Sequence, residues 1–173
     1  MKTIKNIFLA LTIIVVASCE GPMGPPGNDG EPLIGTVIEI KGNFRPSNNY
    51  TIFYTFPKNL KVYDGDAVLV YILWDVVKNN SGKDTDVWRL LPQTVFLNDG
   101  TVLQYNYDYT TADVEIKLGG NFRTLLPSES ENQVFRIVVL PAAFLKNTKG
   151  IDYNDYDDVV NTMKINAGLV IKE

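Results

Sequence analysis

The sequence predicts an all-β protein: a single β-sandwich, immunoglobulin-like or another Greek-key type, of about eight strands with one short helix near the C terminus. Three observations support this. Short segments rich in β-branched and aromatic residues recur along the chain, turn residues separate them, and helical periodicity is scarce. No internal repeat and no second domain are evident, so residues 33–173 are expected to form one domain.

The first elements follow from alternation and turn chemistry. Val114, Ile116 and Leu118 alternate with charged residues, which is the pattern of a strand with one buried face. Segments 94–97 and 101–109 flank Asn-Asp-Gly and predict a β-hairpin, because an Asp-Gly pair adopts the positive φ that a tight turn requires.

Segment 67–77 is apolar on both faces, which predicts a central strand that is covered on both sides. Segment 134–140 is a second β-rich run that ends at a proline. The other strand candidates are 36–41, 50–56, 87–91 and 164–171. Helix is expected only as one turn over 142–146 and a short helix within 153–163.

The N-terminal residues have the form of a secretory signal. Lys2 and Lys5 precede an apolar run over 7–16, which is too short to cross about 30 Å of hydrocarbon. Val16-Ala17-Ser18-Cys19 then resembles a bacterial lipobox, in which the leader is removed before the cysteine and its thiol is diacylated. We therefore expect a signal peptide over 1–18 and a lipid anchor on Cys19, the only cysteine in the chain, so no disulfide.

Composition excludes several classes of function. The formal net charge is −4, and removal of the leader takes two lysines away, so nucleic acid is not expected as a partner. The chain contains no histidine, which removes the commonest general base and the commonest zinc ligand. No Ser-x-x-Lys or nucleophile elbow is present either, and we expect a protein that is not an enzyme.

Residues 21–32 form four consecutive Gly-X-Y triplets that contain four prolines. Glycine at every third position is what a collagen triple helix needs, so one interpretation is trimerisation through this segment. The interpretation we favour is an extended spacer over 19–32, whose twelve triplet residues at about 3.1 Å each would span roughly 35–40 Å.

A lipobox cysteine followed at once by Gly-Pro-X triplets resembles a group of envelope lipoproteins from Bacteroidetes-type bacteria, with a short collagen-like stub before a β-rich domain. The similarity covers residues 1–32 and extends to the remainder only in general character. It implies a lipid-anchored protein of the cell envelope, expected in the outer membrane with either a periplasmic or a surface-facing domain. It implies no defined activity and transfers no site residues.

Two patterns are candidate binding sites. Tyr105, Tyr107 and Tyr109 alternate, as in a platform for sugar rings, but Leu103 shares their face and favours packing between sheets. The second pattern is acidic, and carboxylates are the ligands that calcium prefers. Its weak calcium candidates are Asp152, Asn154, Asp155, Asp157 and Asp158.

The acidic segment departs from an EF-hand loop at the fifth, sixth and twelfth positions. The alternative we favour is an acidic helix start with Asp155 as the cap, and Asp157 and Asp158 favoured by the helix dipole. Asp84 and Asp86 follow the polar loop 79–83, and Asp84 would join a calcium site if the fold brings the two loops to the same end of the sandwich.

The sequence therefore predicts a non-enzymatic envelope lipoprotein that binds or scaffolds another envelope component, a protein or a glycan, and needs no cofactor. The alternative is a carbohydrate-binding or adhesin module assisted by calcium. Exposure of Trp74, Trp88 or the tyrosines in a groove would favour the second interpretation, and burial of the same rings would oppose it.

Overall fold

A computed structural model describes residues 35–145, 150–162, 165 and the backbone of 171–172. The chain divides into two units, Met1–Glu31 and Pro32–Glu173, and all the described residues belong to the second. The signal peptide over 1–18, the lipidation site Cys19 and the spacer over 19–32 lie outside the described residues, as does most of the strand candidate 164–171.

The described part of the chain is built from nine strands. They are β1 (Thr36–Gly42), β2 (Thr51–Thr55), β3 (Ala67–Lys78), β4 (Asp84–Leu90), β5 (Gln93–Phe96), β6 (Val102–Tyr109), β7 (Asp113–Gly120), β8 (Gln133–Leu140) and β9 (Ile171–Lys172). Three short helices follow the same numbering: α1 (Pro127–Ser130), α2 (Ala142–Leu145) and α3 (Tyr156–Thr162). A 3₁₀ turn covers Pro46–Asn48.

The strands form two sheets, ordered β4-β3-β8-β1-β9 and β2-β7-β6-β5. All the strand pairs are antiparallel except the two-residue β9, which lies parallel to β1. In the second sheet β2 lies beside the hairpin-connected run β5-β6-β7, which is a Greek-key order. The fold is thus the predicted β-sandwich, and its order differs from the A-B-E-D and C-F-G sheets of immunoglobulin domains.

The main core lies between the two sheets. From the first sheet, alternate residues such as Ile38, Val70 and Ile137 point inwards, and each is completely buried. Val114 and Ile116 of β7 meet them from the second sheet and are also completely buried. This arrangement follows from the period of two along each strand, which places every second side chain on the same face.

The first sheet is also covered on its outer face. Tyr71 of β3 and Val138 of β8 point away from the sandwich core and pack with Val159 and Val160 of α3. The prediction that segment 67–77 is covered on both sides is therefore confirmed for residues 67–74, whereas residues 75–78 of β3 extend beyond the core and are exposed. The short C-terminal helix begins three residues later than the predicted segment, at Tyr156, because residues 152–155 form the turn that caps it.

A half-buried arginine occupies the outer face of the first sheet. Arg136 lies directly opposite Glu39 across the β1–β8 pair, and its Nη2 is 3.0 Å from the Glu39 carboxylate. Its guanidinium also lies 4.0 Å from the centre of the Trp88 ring and 4.9 Å from that of Tyr156. The charge is thus paired where it is shielded from water, which is the condition for burying an arginine without a large penalty.

The predicted hairpin is confirmed as β5 and β6. The Leu97 amide donates to the Thr101 carbonyl at 2.8 Å, and Gly100 adopts the positive φ of 85° that favours glycine at this turn. The second Asp-Gly pair, Asp64-Gly65, closes a turn without a hairpin, because residues 57–66 form no strand.

Truncation of Phe135 tests the core between the sheets. Its ring is completely buried and packs edge-on against Phe44, with ring centres 6.0 Å apart. We expect Phe135→Ala to lower the free energy of unfolding by about 3–5 kcal/mol, because it leaves a cavity in the core. The matched control is Phe96→Ala, whose side chain is 78% exposed and which should change stability by less than about 0.5 kcal/mol. Urea denaturation measures both, and equal losses would contradict the assigned core.

Candidate functional site

A cavity of about 570 Å³ lies at one end of the sandwich. This volume lies within the range of small-molecule sites. Two loops form its walls: one follows β1 in the first sheet and the other follows β7 in the second. We call it the two-arginine pocket, and its lining residues are Phe44, Arg45, Pro46, Ser47, Tyr50, Arg123, Thr124, Leu125, Ser130 and Glu131.

The two loops begin with the same four residues. Gly-Asn-Phe-Arg occurs at 42–45, where β1 ends, and again at 120–123, where β7 ends. The expectation that the chain has no internal repeat overlooked this one, which is only four residues long. The two identical tetrapeptides are visible in the sequence. That both copies line one pocket is known only from the fold.

Both glycines of the repeat are closely packed. A Cβ atom on Gly42 would lie 2.7 Å from Cδ1 of Ile52 in β2. Gly120 has a φ of 144°, and a Cβ atom there would overlap the carbonyl oxygen of Val102. At Gly120 the obstacle is backbone, so only glycine fits there, whereas a side chain at Gly42 would require the Ile52 side chain to shift.

The asparagine of each copy ties its loop to a neighbouring segment. The Asn43 side-chain oxygen accepts a hydrogen bond from the Asn132 amide at 2.7 Å. The Asn121 side-chain oxygen accepts one from the Val102 amide at 2.6 Å, and the Asn121 amide donates to the Val102 carbonyl. These bonds give the loop backbones fixed positions beyond the ends of the strands.

The phenylalanine of each copy packs beneath the pocket. Phe44 is almost completely buried, and its ring centre lies 5.9 Å from that of Tyr105. Phe122 is half-buried and meets Tyr50 edge-on at 5.0 Å. Tyr50 has a positive φ of 52°, an uncommon conformation for an aromatic residue. Such local strain occurs often at functional sites, where the surroundings hold it in place.

Arg45 and Arg123, the last residues of the two copies, are exposed and line the same pocket. The chain has four arginines, and the other two are engaged: Arg89 and Arg136 each lie over a tryptophan ring, at 4.1 and 4.0 Å. Across the described ranges, neither Arg45 nor Arg123 takes part in an ion pair or a cation–π contact. Their donors are therefore available to an external acceptor.

The chemistry of this pocket is that of recognition. Guanidinium groups hold carboxylates and phosphates through paired, charge-assisted hydrogen bonds. The hydroxyl groups of Ser47 and Thr124 add neutral donors and acceptors, and Tyr50 adds an aromatic wall. One carboxylate, that of Glu131, lines the same pocket. The arrangement can bind an anionic group that carries hydroxyl groups.

A second, smaller cleft of about 220 Å³ opens between the sheets beside Trp74 and Tyr105. It arises where β3 and β8 diverge, because their pairing ends at Ile72 and Phe135 while β3 continues to Lys78. Its volume is below the range of typical ligand pockets.

The acidic segment caps a helix, as favoured from the sequence. The Asp155 side-chain oxygen accepts hydrogen bonds from the amides of Asp157 and Asp158 at 2.9 and 3.1 Å, which is the geometry of an N-cap. Asp152 accepts two bonds from Asn154, and Asp158 accepts one from the Asp152 amide. The carboxylates thus hold the turn and the first turn of α3.

The structure brings part of this segment close to β4. Asp86 lines a shallow depression together with Asp152, Asn154, Asp155 and Asp157. Asp84 points elsewhere and forms a 2.7 Å ion pair with Lys78. Within the described residues no group of three or more acidic side chains is arranged to hold a metal ion. The calcium site stays a prediction.

The tyrosine series packs between sheets, as the sequence favoured. Tyr105 is buried and donates to the Glu129 carbonyl at 2.8 Å. Tyr107 donates across the sandwich to the Val68 carbonyl at 3.0 Å. Tyr109 is 45% exposed and stacks on Tyr107, with ring centres 6.3 Å apart. The first two rings thus serve the core, and a three-ring platform does not form.

Comparisons with protein-family models, with curated proteins and with solved structures find no significant match for this chain. Of the helices in the described residues, none has the length and apolar character needed to cross a membrane.

Substitution of Asp155 separates capping from calcium binding. Asp155→Ala removes the acceptor for two helix amides, so we expect the free energy of unfolding to fall by about 1 kcal/mol. Asp155→Asn keeps an acceptor and should retain most of that stability. Urea denaturation of each variant is measured with and without excess calcium. Calcium stabilisation of the wild type that Asp155→Asn abolishes would establish a calcium role beside the cap.

Stability at alkaline pH tests the burial of Tyr105. Burial raises the pKa of its hydroxyl to about 12, whereas the unfolded chain ionises near the usual value of about 10. The unfolded state therefore loses its proton first, and the free energy of unfolding falls between about pH 10 and 12, by up to about 1.4 kcal/mol per pH unit. Below about pH 10 this effect is absent.

We expect Tyr105→Phe to reduce the slope of stability against pH in that window, because the ionisable group is gone. Tyr63→Phe, at a side chain that is 64% exposed, is the matched control and should leave the slope unchanged. Urea denaturation at several pH values gives the slopes. An identical slope for Tyr105→Phe and the wild type would contradict the assigned burial.

Proposed function

We propose that this chain is a lipid-anchored protein of the bacterial cell envelope whose β-sandwich binds or scaffolds another envelope component and has no catalytic role. The observation that carries the proposal is the lipobox Val16-Ala17-Ser18-Cys19 after an apolar run of signal-peptide length. Two or three acyl chains on Cys19 suffice for stable anchoring, since each buried CH₂ contributes roughly 0.8 kcal/mol.

The remainder of the chain suits this role. The Gly-X-Y segment that follows the cysteine serves as an extended spacer between the membrane and the domain. The anchor places the domain at the cell envelope, as the resemblance to Bacteroidetes-type envelope lipoproteins implies, and we expect it in the outer membrane. We assign the binding role to the two-arginine pocket, because its two arginines form no ion pair with another described residue.

The second candidate function is a carbohydrate-binding or adhesin module, assisted by calcium. The aromatic rings give it little support, because Trp74 and Trp88 are half-buried and each is covered by an arginine. What favours it is the combination of hydroxyl groups and an aromatic wall in the two-arginine pocket. The carbohydrate-binding function is then compatible with the first proposal, because it specifies the ligand of the envelope lipoprotein.

Replacement of Cys19 tests the anchor. In cells fed a labelled fatty acid, we expect the wild type to carry the label and to sediment with membranes. Cys19→Ala has no thiol to acylate and should lose the label. Ser18→Ala keeps a small residue before the cysteine and is the matched control that should retain the label. A labelled Cys19→Ala protein, or an unlabelled wild type, would refute lipidation at Cys19.

A further inference from the structure

We propose that the two-arginine pocket binds a carboxylated sugar, a uronic acid-type residue that carries a single carboxylate. The inference deepens the proposed binding role and rests on it, but it does not depend on the lipid anchor. Its basis is the convergence of two arginines on one cavity of sugar size, from two separately fixed loops that each follow a strand of a different sheet.

The first step is the construction of the pocket. Each arginine follows a glycine, an asparagine and a phenylalanine that fix its loop by close packing, a side-chain hydrogen bond and ring burial. The same four residues in two loops of different strands thus hold two cationic side chains at one cavity. A solvated surface charge needs no such support, since long side chains move freely in water.

The second step is the sign and number of charges on the ligand. Arg45 and Arg123 lack acidic partners within the described residues, so an anionic group is the natural occupant. The pocket also contains Glu131, and the whole chain has a formal net charge of −4. Both repel a polyanion. The site therefore suits one carboxylate near the arginines and neutral groups near Glu131.

The third step is the body of the ligand. Ser47 and Thr124 offer hydroxyl groups, Glu131 accepts hydrogen bonds, and Tyr50 presents an aromatic surface. Sugar rings display hydroxyl groups at their edges and apolar C–H faces that pack on aromatic rings. The cavity of about 570 Å³ accommodates one or two such rings. A carboxylated sugar carries a chemical partner for the two arginines, for the hydroxyl groups of Ser47 and Thr124, and for the Tyr50 ring.

The test compares two ligands that differ only in the carboxylate. The full chain, acylated and held in neutral detergent, is titrated with methyl β-glucuronide and with methyl β-glucoside, and binding is followed by ligand-observed NMR. We expect the glucuronide to bind and the glucoside to bind at least about tenfold more weakly, because it lacks the charge-assisted hydrogen bonds. Equal binding of the two ligands, or no binding of the glucuronide, would overturn the proposal.

Substitutions then locate the site. Arg45→Gln and Arg123→Gln should each weaken glucuronide binding by about tenfold or more. Lys83→Gln removes one charge from an exposed residue outside the pocket and is the matched control that should leave binding unchanged. Thermal unfolding verifies that each variant is folded. Glucuronide binding that survives in both arginine variants would place it elsewhere and overturn the assignment.

Inorganic phosphate is the third probe. If phosphate fails to displace the glucuronide, the result supports a site for a sugar carboxylate. If phosphate binds more tightly than the glucuronide, the pocket is a phosphate site and the uronic acid assignment is refuted. The outcome is separable from the proposed anchor. Acylation of Cys19 is read from the fatty-acid label, so failure of either test leaves the other result standing.

Discussion

The first sheet must be covered on both faces, and the rest of the architecture depends on this constraint. Its central strands β3 and β8 carry apolar side chains on successive residues, so each face exposes a continuous apolar surface in the isolated sheet. Burial of such surface contributes roughly 25 cal/mol per Å², and exposure of either face would forfeit that contribution. The second sheet covers the inner face, and the C-terminal helix α3 covers the outer one.

This requirement explains the acidic segment before α3. A helix of seven residues is too short to be stable alone, so it forms only where its apolar face is buried and its first amides are satisfied. Asp155 supplies the cap, while Val159 and Val160 supply the buried face. Nearby, Arg136 joins the outer face to the helix through its contacts with Glu39 and Tyr156. The carboxylates thus have a structural role whether or not an ion binds beside them.

The end of the sandwich that carries the two-arginine pocket is organised by its loops. One strand of each sheet ends there at the glycine of a Gly-Asn-Phe-Arg copy, and at each glycine a side chain would meet a neighbouring strand at close range. The asparagines and phenylalanines then use local hydrogen bonds and core packing to position the loops. Arg45 and Arg123 are thereby held together at one cavity, while the remaining two arginines are engaged with aromatic rings. A recognition surface on loops that a rigid scaffold positions is the usual solution of β-sandwiches.

The sequence alone determined the features that depend on local chemistry: the strand pattern of Val114, Ile116 and Leu118, the turn at Gly100, the cap at Asp155, and the two-sided burial of the first part of β3. Alternation of apolar and polar residues, turn residues and helix caps each involve only a few neighbouring positions, so they can be recognised in the sequence. The pairing of β8 with both β1 and β3, the Greek-key order, and the meeting of Arg45 with Arg123 were decided by the tertiary structure. These contacts join segments that are distant in sequence, and their free energy comes from packing that no single segment contains.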